Sequence, residues 1–375
     1  MVNKLKKDLF SLGSSKLLVL GINGLFWFLM ALILPKEQYG ELTFLLSTAS
    51  LGTISRFGLD RLVIVFGAKK EPVLFPSYVI VTITSSLAAI VVYYFTNDVF
   101  VGLLVVFVVI FELMMADLLS KSKYQMFSIY EITRRSLSLV FSILLFFEFG
   151  VMGILMGFVL ANLLGIKGLI KALRVRQEFS NIKQHSGFIF NTSLIGIVAS
   201  LDQFASKILI GAMFGFSLLG SFQIAFQYLV FLGFIPSVLT LYLLPQESQG
   251  KKNKKLKIYS IIICIILSFV SVFTIPSFVN LLLPEYTESI TAMQIMSFSI
   301  IPSIIIIIIE TSFIGNNQTK FILITKAIQV SIFFGLIMML GKQFGLDGLA
   351  FSSLIAAIVM CILYVVLYKK YFKKN

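Results

Sequence analysis

Apolar residues run along this chain in stretches of about twenty, separated by short groups of polar, charged and turn-forming residues. A helix needs roughly 20 residues to cross a bilayer core of about 30 Å, because each residue adds about 1.5 Å. The pattern therefore predicts an all-α integral membrane protein. Its twelve predicted spans are residues 15–34, 42–66, 75–96, 99–119, 132–149, 151–171, 187–213, 217–244, 257–280, 289–312, 319–340 and 346–368.

The composition excludes an ordinary soluble domain. Hydrophobic residues make up 58% of the 375 residues and charged residues 13%, and the mean hydropathy is +0.99. A soluble domain has a charged share of about 25%. The net charge of +14 would indicate nucleic acid in a soluble protein, but here the lysines and arginines lie in short loops between apolar spans. We therefore expect membrane lipids with anionic headgroups as neighbours, and no nucleic-acid partner.

The basic residues lie in alternate loops, which predicts the orientation of the chain. Four loops hold Lys69 and Lys70; Lys121, Lys123, Arg134 and Arg135; Lys167, Lys171, Arg174, Arg176 and Lys183; and Lys251, Lys252, Lys254, Lys255 and Lys257. The opposite loops hold only Lys36 and Lys342. Because loops rich in lysine and arginine stay in the cytoplasm, we expect a multi-pass protein of the cytoplasmic membrane with both termini on the cytoplasmic side.

The two halves of the chain resemble each other. FGVMGILMGFVLANLLG, from Phe149, is similar to FGLDGLAFSSLIAAIVM, from Phe344, and the two starting points are 195 residues apart. LPKEQYGELTFLLSTASLG, from Leu34, is similar to MFGFSLLGSFQIAFQYLVFLG, from Met213. These similarities favour two six-helix lobes around a central cavity, at residues 1–171 and 187–375, joined by a basic cytoplasmic linker at 172–186. Chance similarity between glycine-rich helix ends is the alternative.

The sequence offers little for bond-breaking chemistry. His185 is the single histidine and is interpreted as a solvated linker residue, and the two cysteines lie in apolar stretches. The sequence contains no carboxylate pair, nucleophile elbow, phosphate-binding glycine loop or metal-ligand cluster. We therefore predict no catalytic residue, no metal and no cofactor.

The second span carries three charges. A central arginine in a membrane helix costs roughly 2.5 to 3.5 kcal/mol on insertion scales. Arg56 lies near mid-depth and is predicted to line a cavity, whereas Arg61 lies near the inner boundary and either lines the cavity or binds lipid headgroups. Asp60 is four residues from Arg56, so a simple intrahelical ion pair is the structural alternative.

The seventh span carries a polar stripe. Ser193, Gly196, Ser200, Gln203 and Lys207 recur at steps of three and four, which places them on one face of a regular helix. We predict that this face lines the cavity and that Lys207 supplies a second cation. Snorkelling of Lys207 to the outer headgroups is the alternative.

Other polar residues in the spans are predicted to support the cavity, although an ordinary hydrogen bond between helices would explain each of them. Glu112 and Asp117 are candidates to neutralise the arginines of the second span, and Glu310 is a candidate partner for Lys326. The full predicted supporting set is Asn23, Asp60, Glu112, Ser200, Asp202, Gln203, Gln223 and Gln227.

Several segments resemble the polysaccharide-export flippases of the O-antigen-repeat type, within the multidrug/oligosaccharidyl-lipid/polysaccharide exporter superfamily. They are LPKEQYGELTFLLS, RFGLDRLVIVFGAK, DQFASKILIGAMFGFSLLGSFQIAFQY, LPEYTESITAMQIMSFS and FGLDGLAFSSLIAA, in that order along the chain. One departure is that LILPKEQYG lacks the arginine that these proteins often carry before this loop.

The resemblance implies a transporter, not an enzyme, whose substrate is a polyprenyl-(pyro)phosphate-linked oligosaccharide carried to the outer leaflet. Independently of it, a pyrophosphate needs cations such as Arg56 and Lys207. A coupling ion, H+ or Na+, is a possible further partner. One rival function is a drug or metabolite antiporter, which would need a carboxylate in the membrane. Another is a glycan polymerase or ligase, which would need a larger external loop. A third is a non-transporting scaffold.

Overall fold

The computed structural model describes residues 2–174, 178–234, 254–315 and 319–372, and every regular element in these ranges is helical. The predicted all-α class is confirmed. The α-helices are α1 Val2–Ile33, α2 Lys36–Gly52, α3 Leu59–Ala68, α4 Leu74–Thr96, α5 Val99–Ser120, α6 Tyr124–Asn162, α7 Ile166–Leu173, α8 Ser180–Gln184, α9 Ser186–Ser200, α10 Ser206–Phe214, α11 Phe216–Leu232, α12 Lys254–Leu282, α13 Ser289–Ser297, α14 Ile300–Gly315 and α15 Thr319–Phe372. Short helical turns lie at Thr53–Arg56, Leu163–Gly165, Leu201–Ala205 and Pro284–Tyr286.

Two long helices each contain two predicted spans. Gly150 in α6 has φ 61° and ψ −141°, and Gly345 in α15 has φ 56° and ψ −129°. Glycine adopts such angles without a steric penalty because it has no Cβ. Both breaks fall between predicted spans, so they separate 132–149 from 151–171 and 319–340 from 346–368.

Eight helical stretches in the described ranges are long and apolar enough to cross a membrane. Two of the eight, Tyr124–Leu173 and Lys320–Lys370, are the paired spans just described. Two further predicted spans fall outside this group: 42–66 is interrupted, and of 217–244 only the part up to residue 234 is described. The chain is thus a multi-pass membrane protein. Arg176, Lys251 and Lys252, which belong to the predicted basic loops, lie outside the described residues.

Contacts divide the chain into two units. Unit 1 comprises residues 1–26 and 45–200, and unit 2 comprises residues 27–44 and 201–375. In unit 1, α3 packs on α5 through buried residues that include Leu59, Leu62 and Val109. In unit 2, α14 packs on α15 around Phe313 and Tyr364. These units are not the predicted lobes at 1–171 and 187–375, because residues 27–44 group with unit 2 and residues 187–200 with unit 1. The two lobes stay a prediction.

Candidate functional site

The second predicted span is not one helix. It consists of α2, the 3₁₀ turn Thr53–Arg56, which follows α2 directly, and α3. Two residues with positive φ, Phe57 (47°) and Gly58 (67°), separate the turn from α3. A Cβ built on Gly58 would lie 2.3 Å from Thr192 Oγ1 in α9. Glycine at this position therefore permits both the left-handed backbone and the close approach of α9. The break places Arg56 and Arg61 on separate helical segments.

Arg56 is neutralised by carboxylates. Its Nη1 forms an ion pair with Glu112 of α5, and its Nε lies 3.8 Å from Asp60 Oδ1. The predicted pairing with Asp60 and the predicted neutralisation by Glu112 are both confirmed. Arg61 is exposed and has no ion-pair partner in the described ranges. Two cations and two carboxylates give this group a net charge of zero.

A small open pocket lies beside this group, wholly within unit 1. It is lined by Ile54, Arg56, Gly58, Asp60, Arg61, Thr192, Ser193, Gly196, Ile197 and Ser200. Three of the five residues of the predicted stripe, Ser193, Gly196 and Ser200, belong to this lining. The pocket thus offers guanidinium, carboxylate and hydroxyl groups, which are the groups that bind the hydroxyls of a sugar ring.

Lys207 belongs to unit 2 and is buried, with 7% of its surface exposed. Its Nζ lies 4.4 Å from the centroid of the Phe226 ring, and in the part of the chain that the structure describes no carboxylate forms an ion pair with it. A ring face attracts an ammonium only weakly compared with a counter-ion. Lys207 is therefore a buried cation whose charge is not neutralised by the described residues.

The predicted stripe does not continue along one face to Lys207. Residues Leu201–Ala205 form a π-helical turn, which winds more residues per turn than an α-helix. Gln203 is exposed, whereas Ser200 and Lys207 are buried. The steps of three and four assumed a regular period of 3.6 residues, and the π turn changes that period.

A second group in unit 2 is acidic. Glu310 accepts a hydrogen bond of 2.6 Å from the Tyr364 hydroxyl and lies 3.8 Å from Lys326 Nζ, so the predicted Glu310–Lys326 pair is confirmed. Asp202, in the π turn, interacts electrostatically with both Lys326 and Glu310. Two carboxylates face one lysine, so this group has a net charge of −1 when all three are ionised.

Sequence reasoning missed a cationic group in unit 1. Arg134 and Arg135 were counted with a basic loop although the predicted span 132–149 already contains them; they lie well inside α6, and Arg134 is buried. Both are close to Glu131, at 2.7 Å and 3.6 Å. The spacing of Glu131 three and four residues before the arginines is the helical signal that would have found them. Asn23 of the predicted supporting set lines a small open pocket beside Arg135.

Two further predictions are wrong. Asp117 does not neutralise the arginines of the second span, because it forms ion pairs with Lys121 and, at 2.9 Å, with Lys171. His185 is not a solvated linker residue: its side chain is 14% exposed, its Nε2 lies 2.7 Å from Glu71 Oε2, and its ring stacks on Phe66. The linker is thereby held against the end of α3.

The predicted glutamines of α11 differ in their surroundings. Gln223 is fully buried, and neither polar atom of its side chain has a hydrogen-bond partner in the described residues. Gln227 is only partly buried. A buried amide without a partner is costly, so Gln223 is the stronger candidate to contact a polar ligand.

The start of α2 makes a close contact with α11 in unit 2. A Cβ on Gly40 would lie 1.8 Å from Phe216 O, and one on Gly220 would lie 2.2 Å from Lys36 O. Beside these glycines, Lys36 Nζ lies 2.8 Å from Glu288 Oε1, which also accepts a hydrogen bond from Ser221. The hydrogen bonds from Lys36 and then Ser221 lower the pKa of Glu288.

Solved structures of transporters share this fold. The lipid II flippase MurJ in an inward closed conformation matches with a TM-score of 0.67 at 14% identity, over 96% of this chain and 87% of that chain. The MATE multidrug transporter DinF-BH matches with a TM-score of 0.65 at 15% identity, over 97% of this chain and 95% of that chain. An inward-facing MATE family transporter of the MOP superfamily matches with a TM-score of 0.62 at 14% identity, over 95% of this chain and 96% of that chain.

These matches establish that the chain has the fold of the MOP-superfamily transporters. No protein-family model matches the sequence, and no curated protein matches it. The predicted likeness to the superfamily is confirmed at the level of the fold, whereas membership of the O-antigen-repeat family stays a prediction.

Proposed function

We propose that this chain is a transporter that moves a polyprenyl-(pyro)phosphate-linked oligosaccharide from the inner to the outer leaflet by alternating access, for the synthesis of a cell-surface polysaccharide. The substrate and the membrane lipids are its expected partners. No chemical change of the substrate is part of the proposal.

The observation that carries the proposal is the state of Lys207. An ammonium that is 7% exposed and stands over a phenyl ring, with no carboxylate partner among the described residues, is expensive to keep in a membrane protein. A phosphate group would be the counter-ion that this side chain lacks, since ionised donors and acceptors form the stronger hydrogen bonds.

The pocket in unit 1 supports the glycan part of the proposal. Because Asp60 and Glu112 neutralise Arg56, this pocket does not carry a concentrated positive charge. Its hydroxyl, carboxylate and guanidinium groups suit an uncharged sugar. In this proposal Lys207 contacts the phosphate, and the pocket at Arg56 and Arg61 contacts sugar hydroxyls.

The fold supports the same class of substrate, because one of the matching structures is named a lipid II flippase. The membrane potential would assist such transport. Two negative charges that move fully outward against 100 mV, negative inside, gain about 4.6 kcal/mol at about 2.3 kcal/mol per charge. Return of the empty cationic site opposes this gain, so a coupling ion, H+ or Na+, is an expected further partner.

A drug antiporter is the second candidate, and the acidic group in unit 2 favours it. Asp202 and Glu310 share a single lysine, so this group can take up a cation or a proton. Two of the matching structures are named as multidrug transporters. The two candidates differ in cargo: a lipid-linked anion for the first and a cationic drug for the second.

The deciding experiment uses the natural cargo. A strain that lacks the gene should accumulate a lipid-linked oligosaccharide on the inner leaflet, and this material can be extracted and labelled. Liposomes with the purified protein should then expose the labelled glycan to an external glycosidase, whereas protein-free liposomes should not.

The same liposomes test the rival. Efflux of a cationic dye that is driven by a proton or sodium gradient, without exposure of the glycan, would favour the antiporter. A deletion strain without any lipid-linked oligosaccharide would indicate that the protein makes this material, and the flippase proposal would be wrong.

We place the protein in the cytoplasmic membrane with both termini in the cytoplasm, on the distribution of basic loops. A single cysteine at Thr287, in a background without the native thiols, should react with an impermeant thiol reagent in intact cells. Labelling of a cysteine at Lys123 under the same conditions would contradict this orientation.

A further inference from the structure

Two adjacent arginines lie in the interior of α6. Arg134 is ten residues after Tyr124, or about 15 Å at 1.5 Å per residue, so neither arginine is at the start of the helix. Arg134 is 9% exposed, and the side chain of Arg135 is 31% exposed. Charged side chains inside membrane helices are rare because they are expensive, and they normally pair or face a cavity.

The two arginines share one carboxylate. Arg134 Nη2 lies 2.7 Å from Glu131 Oε1, its Nη1 lies 3.4 Å from Asn162 Oδ1, and its guanidinium stands over the Phe111 ring. Arg135 Nε lies 3.6 Å from the same Glu131 oxygen and is buried without a hydrogen bond in the described residues. The Nε of Arg134 is also buried without a hydrogen bond in the described residues, so one carboxylate serves two guanidinium groups and one positive charge is left over.

Arg135 lines a small open cavity within unit 1, between α1 and α6. Asn23 and Ser138 supply the other polar side chains of the lining, and the amide of Asn23 has no hydrogen-bond partner in the described ranges. Phe26 and Phe158 form an apolar wall, with ring centroids 5.1 Å apart. The cavity thus combines one surplus cation and neutral polar groups with an aromatic surface.

We infer that this cavity binds the phosphate end of a lipid, with the phosphate at Arg135 and Asn23 and the first carbons of its chain against Phe26 and Phe158. A single anion fits because Arg134, Arg135 and Glu131 together have a net charge of +1, and an apolar chain fits because the remaining wall is aromatic. The lipid is either the carrier of the proposed substrate or a phospholipid of the bilayer. The inference that it is the carrier rests on the proposed function, whereas the phosphate site itself does not.

The test is equilibrium binding to the purified full chain in a nonionic detergent, with three probes: farnesyl phosphate, dihexanoyl phosphatidic acid and uncharged farnesol. Farnesyl phosphate should bind, and farnesol should bind at least about tenfold more weakly, because a charge-assisted hydrogen bond is lost. Arg135→Gln should weaken farnesyl phosphate binding by about tenfold or more, whereas Arg135→Lys should retain part of it. Arg174→Gln, which removes an exposed arginine of unit 1 that lines neither pocket, is the matched control and should leave binding unchanged.

Equal binding of phosphatidic acid would identify the site as one for phosphate-headed lipids in general, and preference for farnesyl phosphate would identify the carrier. Binding that Arg135→Gln does not weaken, or that farnesol matches, would overturn the inference. The outcome is separable from transport: if the phosphate binds through Arg135 while liposomes expose no glycan, the site stands and the proposed function fails. If liposomes expose the glycan but binding of farnesyl phosphate does not depend on Arg135, the proposed function stands and the inferred site is wrong.

Discussion

Arg56 and Lys207 are both cations at interruptions of membrane helices, yet their surroundings differ. Arg56 ends a 3₁₀ turn and is neutralised by Glu112 and Asp60. Lys207 follows a π-helical turn and meets only an aromatic ring among the described residues. A charge in a membrane helix is thus not by itself a binding site. The charges that surround it decide whether it stabilises the protein or is left to bind a ligand.

The largest effect is expected from removing the charge of Lys207. Lys207→Gln should lower glycan exposure in liposomes by roughly 30-fold or more, because in the proposed function it removes the buried charge that contacts the phosphate, at a cost of about 2 kcal/mol or more. Lys207→Arg should retain part of the activity. Lys342→Gln, at an exposed lysine of the same unit, is the control and should be close to wild type. Full activity of Lys207→Gln would remove Lys207 from the substrate site.

The next effect concerns the break beside Arg56. Gly58→Ala should lower the free energy of unfolding by about 2 to 3 kcal/mol, because alanine is strained at φ 67° and its Cβ would overlap Thr192. Gly196→Ala is a matched control in the same pocket, since no atom lies within 4 Å of its Cβ position. Thermal unfolding in detergent measures both variants. An equal loss in both would show that the left-handed break is not the cause.

A smaller effect is expected from the neutralised pair. Arg56→Gln should cost about 1 to 2 kcal/mol of stability, because it leaves Glu112 without its partner in a partly buried place. The double variant Arg56→Gln/Glu112→Gln should recover most of that loss. The same double variant should retain transport if Arg56 only balances charge. If the double variant is stable but inactive, Arg56 contacts the substrate directly.

The smallest effect concerns the ring below Lys207. Phe226→Leu removes a cation–π contact at 4.4 Å, worth about 0.5 to 1 kcal/mol, and should change the apparent affinity for the lipid-linked substrate by roughly two- to fivefold. Initial rates across a range of substrate densities in the liposomes measure it. Phe231→Leu changes an exposed ring of the same helix and is the control.

The sequence predicted the spans well because apolar length and glycine are local properties. Gly150 and Gly345 fell between the predicted spans, since glycine tolerates the positive φ of a sharp break. The Arg56–Asp60 and Glu310–Lys326 pairs were also accessible, because helical spacing or a short hairpin places the partners near each other.

Other features depend on the fold. Arg134 and Arg135 lie at the start of the predicted span 132–149 and were counted with the basic loop before it, because the long apolar run begins only after them, whereas the helix begins at Tyr124. His185 was interpreted as solvated because Glu71 and Phe66, its partners, are far away in the sequence. The π turn after Ser200 could not be read from a pattern that assumes a constant period. The predicted cavity set therefore contained Gln203, which is exposed, and lacked Arg135.

The glycine contact between α2 and α11 has a mechanical consequence. Gly40 and Gly220 bring the two backbones into direct contact, and the rings of Phe44 and Phe216, with centroids 5.4 Å apart, add a side-chain contact between the same two helices. Beside this contact, α2 is also joined to the segment before α13, by the ion pair of Lys36 with Glu288 and by the edge-to-face contact between the buried rings of Tyr39 and Tyr286. A Cβ at either glycine would overlap the opposing backbone, so a single methyl group there would act as a wedge between the two helices.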